Sequence, residues 1–183
     1  MEIRAFIALE LSQSFKEKLS FNAELISAND KLRQVLWLSK ENYHLTLVFL
    51  GNLESFLISK LYLKLEQNFS SSNAVPFRII EITPFPFSET PNIVAAMLER
   101  SEELIQLHYC IANFVRDFGI PLKRRRFTPH VTLGRLKSRS RKSLAFQPQQ
   151  MFLESFSEKM VIFQSELTPK GAVYNSLGEI SLM

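Results

Sequence analysis

The stretch "FTPHVTLGR" spans Phe127–Arg135 and holds one of three histidines in a chain of 183 residues. Its apolar and β-favouring residues read as a strand, with Gly134 near the end. A second stretch, "YHLTLVFLG" (Tyr43–Gly51), repeats the pattern: a His, one apolar residue, then a Thr. Side chains at i and i+2 of a strand point to one face, about 6–7 Å apart. His44 and Thr46 therefore share a face, as do His130 and Thr132. Leu45 and Val131 point the other way, into a core. Simple alternation also puts Tyr43, Leu47 and Phe49 on the buried face of the first strand, and Leu133 on that of the second.

For a single pair, a packed His beside a β-favouring Thr is the plainer reading. Thr fills only 6 of 183 positions. Two of three histidines acquiring a Thr at +2 by chance is then roughly a three-in-a-thousand event, as motif coincidences go. The surroundings repeat too. "IRAFIALEL" (Ile3–Leu11) reads as a strand, and the residues after it as a helix capped by Ser12 or Ser14, with Phe15, Leu19, Leu25 and Ile26 at helical spacing. The strand bearing His44 follows. Later, "NIVAAMLE" (Asn92–Glu99) is a strand. A helix comes next, capped by Ser101, striped by Leu104, Leu107, Ile111, Val115 and Phe118, and stopped by Gly119 and Pro121. The strand bearing His130 answers it.

Ile3 to His44 is 41 positions and Ile93 to His130 is 37. Further elements are a helix over 54–69, a linker "SSSNAVP", a strand "FRIIEITPFPF" that Pro84 and Pro86 place at an edge or bring to its end, and strands "EKMVIFQSEL" and "YNSLGEISL". The pattern predicts one α+β domain over residues 1–183. It has two lobes of duplicated design, each an antiparallel sheet with helices packed outside and a cleft between the lobes. No Gly-rich phosphate loop is present.

Charge sharpens the picture. From Phe118 to Leu153 there is no Asp or Glu, but there are nine basic residues: Lys123, Arg124, Arg125, Arg126, Arg135, Lys137, Arg139, Arg141 and Lys142. Nine of 22 basic residues thus lie around His130, leaving 13 to face 18 acidic residues elsewhere. Such a belt suits a polyanion, although a solvated face has the same composition. "KSRSRKS" fits a track for an RNA backbone and a solvated loop equally.

The lone Cys110 makes no internal disulfide and reads as a small buried hydrophobe. No signal-peptide pattern and no run of about 18 apolar residues occur, so a cytoplasmic protein with no membrane partner is expected. His108 has Cys110 rather than Thr at +2 and reads as structural, beside the helix stripe. Phe127 and Tyr43 are candidates for base stacking, with core packing the favoured reading.

Two opposed His/Thr pairs suit in-line displacement at phosphorus. One imidazole deprotonates water while the other protonates the leaving oxygen, and the Thr hydroxyls steady the non-bridging oxygens. An imidazole suits both roles near neutral pH. No clustered metal-ligand spacing appears, so no cofactor or metal is called for. A cyclic phosphodiester, already strained at phosphorus, is the substrate this layout favours.

"HLTL" and "HVTL", with "RAFIALEL", "NYHLTLVFLG", "FTPHVTLGR" and "LTPKGAVY", resemble the two-histidine phosphoesterases across essentially the whole chain. The similarity is to the bacterial and archaeal RNA 2′,3′-cyclic phosphodiesterases, also called 2′–5′ RNA ligases. The resemblance implies metal-free hydrolysis of RNA 2′,3′-cyclic phosphate ends to 2′-phosphates, with 2′–5′ ligation as a related reverse transfer. It implies His44 as proton donor to O3′, His130 as proton acceptor from water, and Thr46 and Thr132 on the phosphate. Arg135 matches a family arginine that grips the substrate. Alternation puts it opposite His130, so the strand must end or bulge at Gly134 for it to reach. The expected partners are RNA ends or nucleotides carrying the cyclic phosphate, with no obligate protein partner evident. The alternatives are a 2′–5′-oligonucleotide or small cyclic-nucleotide phosphodiesterase of the same superfamily, and a non-catalytic RNA-binding protein that uses the basic belt.

Overall fold

A computed structural model of the chain describes residues 2–123, 126–137, 147–168 and 171–183. Nine strands and three α-helices follow in the order β1 (Glu2–Glu10), α1 (Gln13–Asn29), β2 (Val35–Trp37), β3 (His44–Glu54), α2 (Ser55–Phe69), β4 (Val75–Phe85), β5 (Ile93–Leu98), α3 (Glu102–Asp117), β6 (His130–Leu136), β7 (Gln149–Ser157), β8 (Lys159–Thr168) and β9 (Gly171–Ser181). The expected elements are present. β4 ends at Phe85, as its prolines suggested, but it lies inside the sheet rather than at an edge. The capping serines act as expected: Phe15 N donates to Ser12 Oγ and Leu104 N to Ser101 Oγ, each satisfying an amide that helix geometry leaves unpaired.

All the pairings are antiparallel, and they join the strands into one nine-stranded sheet in the order β7-β4-β5-β6-β3-β1-β8-β9, with β2 added beside β6. The two halves correspond in place about the centre, β3-β1-β8-β9 on one side and β6-β5-β4-β7 on the other, each with its His-bearing strand innermost and the strand that precedes the helix beside it. The duplication read from the sequence is therefore a quasi-two-fold sheet. The two halves meet at one register pair between β3 and β6, Leu45 opposite Val131. Both are fully buried in the same core as Leu19 of α1, Leu61 of α2 and Ile111 of α3. All three helices thus cover one face of the sheet. Burying each of those two side chains stabilises the seam by about 1.5–3 kcal/mol.

Two strands escaped the sequence reading. β2 is three residues long. β7 is an outer strand whose Phe152 and Phe156 point to solvent alongside Gln150 and Glu154, so apolar residues break up its polar outer face. Cys110 corrects an expectation: it is exposed. The buried stripe of α3 is Leu104, Ile111, Ala112 and Val115, which turns position 110 outward. Leu25 of α1 is likewise exposed, its place in the buried set taken by Ala23.

Candidate active site

Leu45 and Val131 face the helices as cross-strand partners. Their chain neighbours must therefore face the other side of the sheet together. Antiparallel register puts His44 beside Thr132 and Thr46 beside His130, all four on the helix-free face. Each Thr has an alanine opposite it on the next strand, Ala8 against Thr46 and Ala95 against Thr132. A methyl there leaves room in front of the hydroxyl.

The two imidazoles are anchored alike. His44 Nδ1 lies 2.7 Å from the Asn42 carbonyl oxygen, and His130 Nδ1 lies 2.8 Å from the Thr128 carbonyl oxygen. A carbonyl only accepts, so each Nδ1 carries the proton and donates. Nε2 of each neutral ring then keeps its lone pair and is the atom left for proton transfer. Aromatic rings hold both: Phe6 at 4.8 Å and Tyr174 edge-on at 4.9 Å from His44, and Phe85 at 4.8 Å from His130. Burial lowers the pKa of His44 to about 4, the Asn42 carbonyl opposes that shift, and the nearby His130 and Lys16 charges add to it. Burial also lowers that of His130, against the Thr128 carbonyl. Both rings are neutral at pH 7 when the site is empty.

A bulge follows each motif. Ala8 pairs with Thr46 and Ile7 with Val48, leaving Leu47 unpaired in the β1–β3 ladder. Ala95 pairs with Thr132 and Val94 with Gly134, leaving Leu133 unpaired in the β5–β6 ladder. An extra residue reverses the alternation beyond it. Gly134 therefore takes the core side, and Arg135 returns to the face of His130 and Thr132, paired with Ile93 and Leu36. Its side chain is exposed there. The same reversal corrects Phe49. Expected in the core, it is 64% exposed on the site face, pairing with Phe6.

Tyr43 is buried and Phe127 packs against the core and on His108, so both are core residues. The exposed rings near the site are others that the sequence reading missed. Phe49 touches Phe6, which touches His44. Phe87, 66% exposed, touches Phe85, which touches His130. Of the basic belt, Lys123, Arg126 and Arg135 are exposed and Lys137 is partly so; Arg124, Arg125, Arg139, Arg141 and Lys142, with most of "KSRSRKS", lie outside the described residues.

Among the described residues, no three His, Cys, Asp or Glu side chains gather as a metal site, and no helix is long and apolar enough to cross a membrane. Two surface concavities beside Trp37 are lined by neither site histidine.

Known proteins share this architecture. The family model of the 2′-5′ RNA ligase superfamily matches residues 20–157. Curated relatives named RNA 2′,3′-cyclic phosphodiesterase include those of Aquifex aeolicus, 30% identical over 98% of this chain and 97% of the relative, and of Thermotoga maritima, 28% identical over 97% and 94%. A crystal structure of a Thermus thermophilus protein superposes with TM-score 0.83 at 28% identity, covering 98% of both chains. The fold is also that of E. coli LigT complexed with 3′-AMP, TM-score 0.80 at 19% identity, covering 100% of this chain and 99% of that one. The chain belongs to the 2′-5′ RNA ligase superfamily and is a phosphodiesterase.

Proposed function

We propose that this protein hydrolyses 2′,3′-cyclic phosphate ends of RNA to 2′-phosphate ends by acid–base catalysis from two histidines. The observation that carries this reading is the matched pair: two His/Thr units on one sheet face, each imidazole held through Nδ1 with Nε2 left to act. With the cyclic phosphate between the units, His130 Nε2 takes a proton from water as the water oxygen bonds to phosphorus. The P–O3′ bond breaks, and protonated His44 gives its Nε2 proton to O3′. One water is consumed, and the product carries a free 3′-hydroxyl and a 2′-phosphate. Thr46 and Thr132 donate to the non-bridging oxygens, and Arg135 meets the phosphate charge from the same face. An anion between the rings raises both imidazole pKa values, so substrate binding itself brings His44 toward its acid form. Proton transfer of this kind contributes about 10²–10⁴-fold per group.

The test is turnover of an oligonucleotide ending in a 2′,3′-cyclic phosphate, in EDTA, with analysis of the product end. A 2′-phosphate supports the reading, and no turnover across pH 5–8 overturns it. His44→Ala and His130→Ala should each abolish turnover in a folded protein, and a near wild-type rate in either removes the assigned roles.

The flanking phenylalanines favour a second substrate for the same site. Phe49 on β3 and Phe87 just past the end of β4 each stand one ring removed from a histidine, one beside each half of the sheet. A nucleoside on either side of phosphorus would meet an aromatic face. That arrangement fits 2′–5′-linked RNA, cleaved or joined through the cyclic phosphate. A 2′–5′ dinucleotide assay reads it directly, and inertness toward that linkage in both directions rejects it.

A further inference from the structure

We infer that His108 is a positioning residue that ties the two His/Thr units together from the helix side of the sheet, an inference that rests on the phosphodiesterase reading. Its place in the sequence gives no hint of this. It lies on α3, between β5 and β6 and thus in the second half of the chain, yet α3 packs on β3 of the first half. Two contacts give the role its content. His108 Nδ1 lies 2.9 Å from the Leu47 carbonyl oxygen, so Nδ1 carries a proton and donates. The ring also stacks flat on Phe127, with centroids 4.0 Å apart and planes 3° apart.

Both partners sit next to site residues. Leu47 is the residue that the bulge leaves without a partner on β1, directly after Thr46. A bulged residue loses its ladder partner, and a partly buried carbonyl needs a donor from elsewhere. In the other half of the sheet a backbone group does this: Leu38 N donates to the carbonyl of the bulged Leu133, at 2.8 Å. The first half uses a side chain instead, and that side chain belongs to the opposite half. Phe127 immediately precedes Thr128, whose carbonyl fixes His130 Nδ1. One imidazole therefore holds the bulge that sets Thr46 and the segment that sets His130, beside a seam where β3 and β6 share a single register pair. Acid–base transfer needs reacting atoms held closely, and a misplacement of about 1 Å costs on the order of 10²-fold.

The test separates the two contacts. His108→Phe keeps a ring to stack on Phe127 and removes the donor, and His108→Asn keeps a donor and removes the ring. Steady-state turnover of the cyclic-phosphate oligonucleotide and the imidazole ¹H–¹⁵N resonances of His44 and His130 are read for each variant, with thermal melting alongside. Positioning predicts a kcat lowered on the order of tenfold in His108→Phe with KM within about twofold, because geometry rather than affinity changes. It also predicts partial recovery of kcat in His108→Asn and a displaced His130 resonance in the variant that loses the stack. Wild-type kcat and unshifted imidazole resonances in both folded variants overturn the inference. So does a loss of melting temperature with no change in kcat. If the wild-type protein itself lacks turnover, the phosphodiesterase reading fails, and the imidazole spectra still decide whether His108 sets the two rings.

Discussion

Gly134 is the position where one methyl group should disable the site without touching a reacting atom. A Cβ there would lie 2.5 Å from Val35 Cγ1, 3.2 Å from the Leu36 carbonyl oxygen and 3.4 Å from Trp37 Cα. The first contact is about 1 Å shorter than carbon atoms tolerate. Val35 is buried and β-branched, so its methyl cannot swing clear. In Gly134→Ala, β2 must therefore move away from β6, which strains the Leu38 N to Leu133 O bond that serves the bulge. Overpacking of this kind costs about 1–3 kcal/mol, or a fall in melting temperature of about 2–10 °C at this chain length. Arg135 pairs with Leu36 on the displaced strand, so kcat/KM should fall on the order of tenfold or more. Melting curves and cyclic-phosphate turnover read the two effects. Adding Val35→Ala removes the shortest contact, so the double variant should be more stable than the two single changes predict by about 1 kcal/mol. A Gly134→Ala protein that melts like the wild type and keeps its kcat/KM would refute the packing argument and the bulge's role in placing Arg135.

Thr46→Val and Thr132→Val keep shape and remove a donor to the developing charge, so each should lower kcat about 10²–10³-fold while the protein stays folded; a change under about threefold means that the hydroxyls do not meet the phosphate. The depressed histidines make stability depend on pH. His44 is neutral down to about pH 4 in the folded chain but protonates near 6.5 when unfolded, so the unfolded state binds the extra proton between those values. Its contribution is present above pH 6.5 and is lost as pH falls toward 4, by at most about 3 kcal/mol for one imidazole. Denaturant unfolding from pH 7 to 4 should show this fall, reduced in His44→Gln, and an identical slope in the variant would remove His44 from the account. The same depression means that protonated His44 becomes scarce in the free enzyme as pH rises, so kcat/KM should peak on the acid side of neutrality, and a profile rising through pH 8 would contradict His44 as the acid. Ser101→Ala should cost about 1 kcal/mol through loss of the α3 cap, seen as a lower melting temperature with kcat unchanged.

Much of the site was legible because strand alternation is a local rule. "HLTL" and "HVTL" announce two same-face pairs from spacing alone, and Leu45 and Val131 face the core as that spacing requires. The helix caps were equally local, each depending on a hydroxyl and an amide three residues on. Phe49 and Arg135 were not legible by the same rule. Each lies beyond a bulge, and a bulge exists only when a partner strand leaves a residue unpaired. Cys110 was misread for a different reason: one step of about 100° around a helix separates a buried position from an exposed one, and several apolar residues flank it.

The repeated unit, its His/Thr chemistry, the acid-free basic belt and the α+β class are all written in neighbouring residues or in composition, so the chain declares them before it folds. Folding adds the rest. It sets the two units side by side across a single register pair, turns Arg135 to their face and brings His108 from one half to the other. Those facts depend on which strand pairs with which, and in what register, between residues far apart in the chain: 61 positions from Leu47 to His108 and 86 from Leu45 to Val131. Spacing along the chain carries no information about a partner that folding alone brings near.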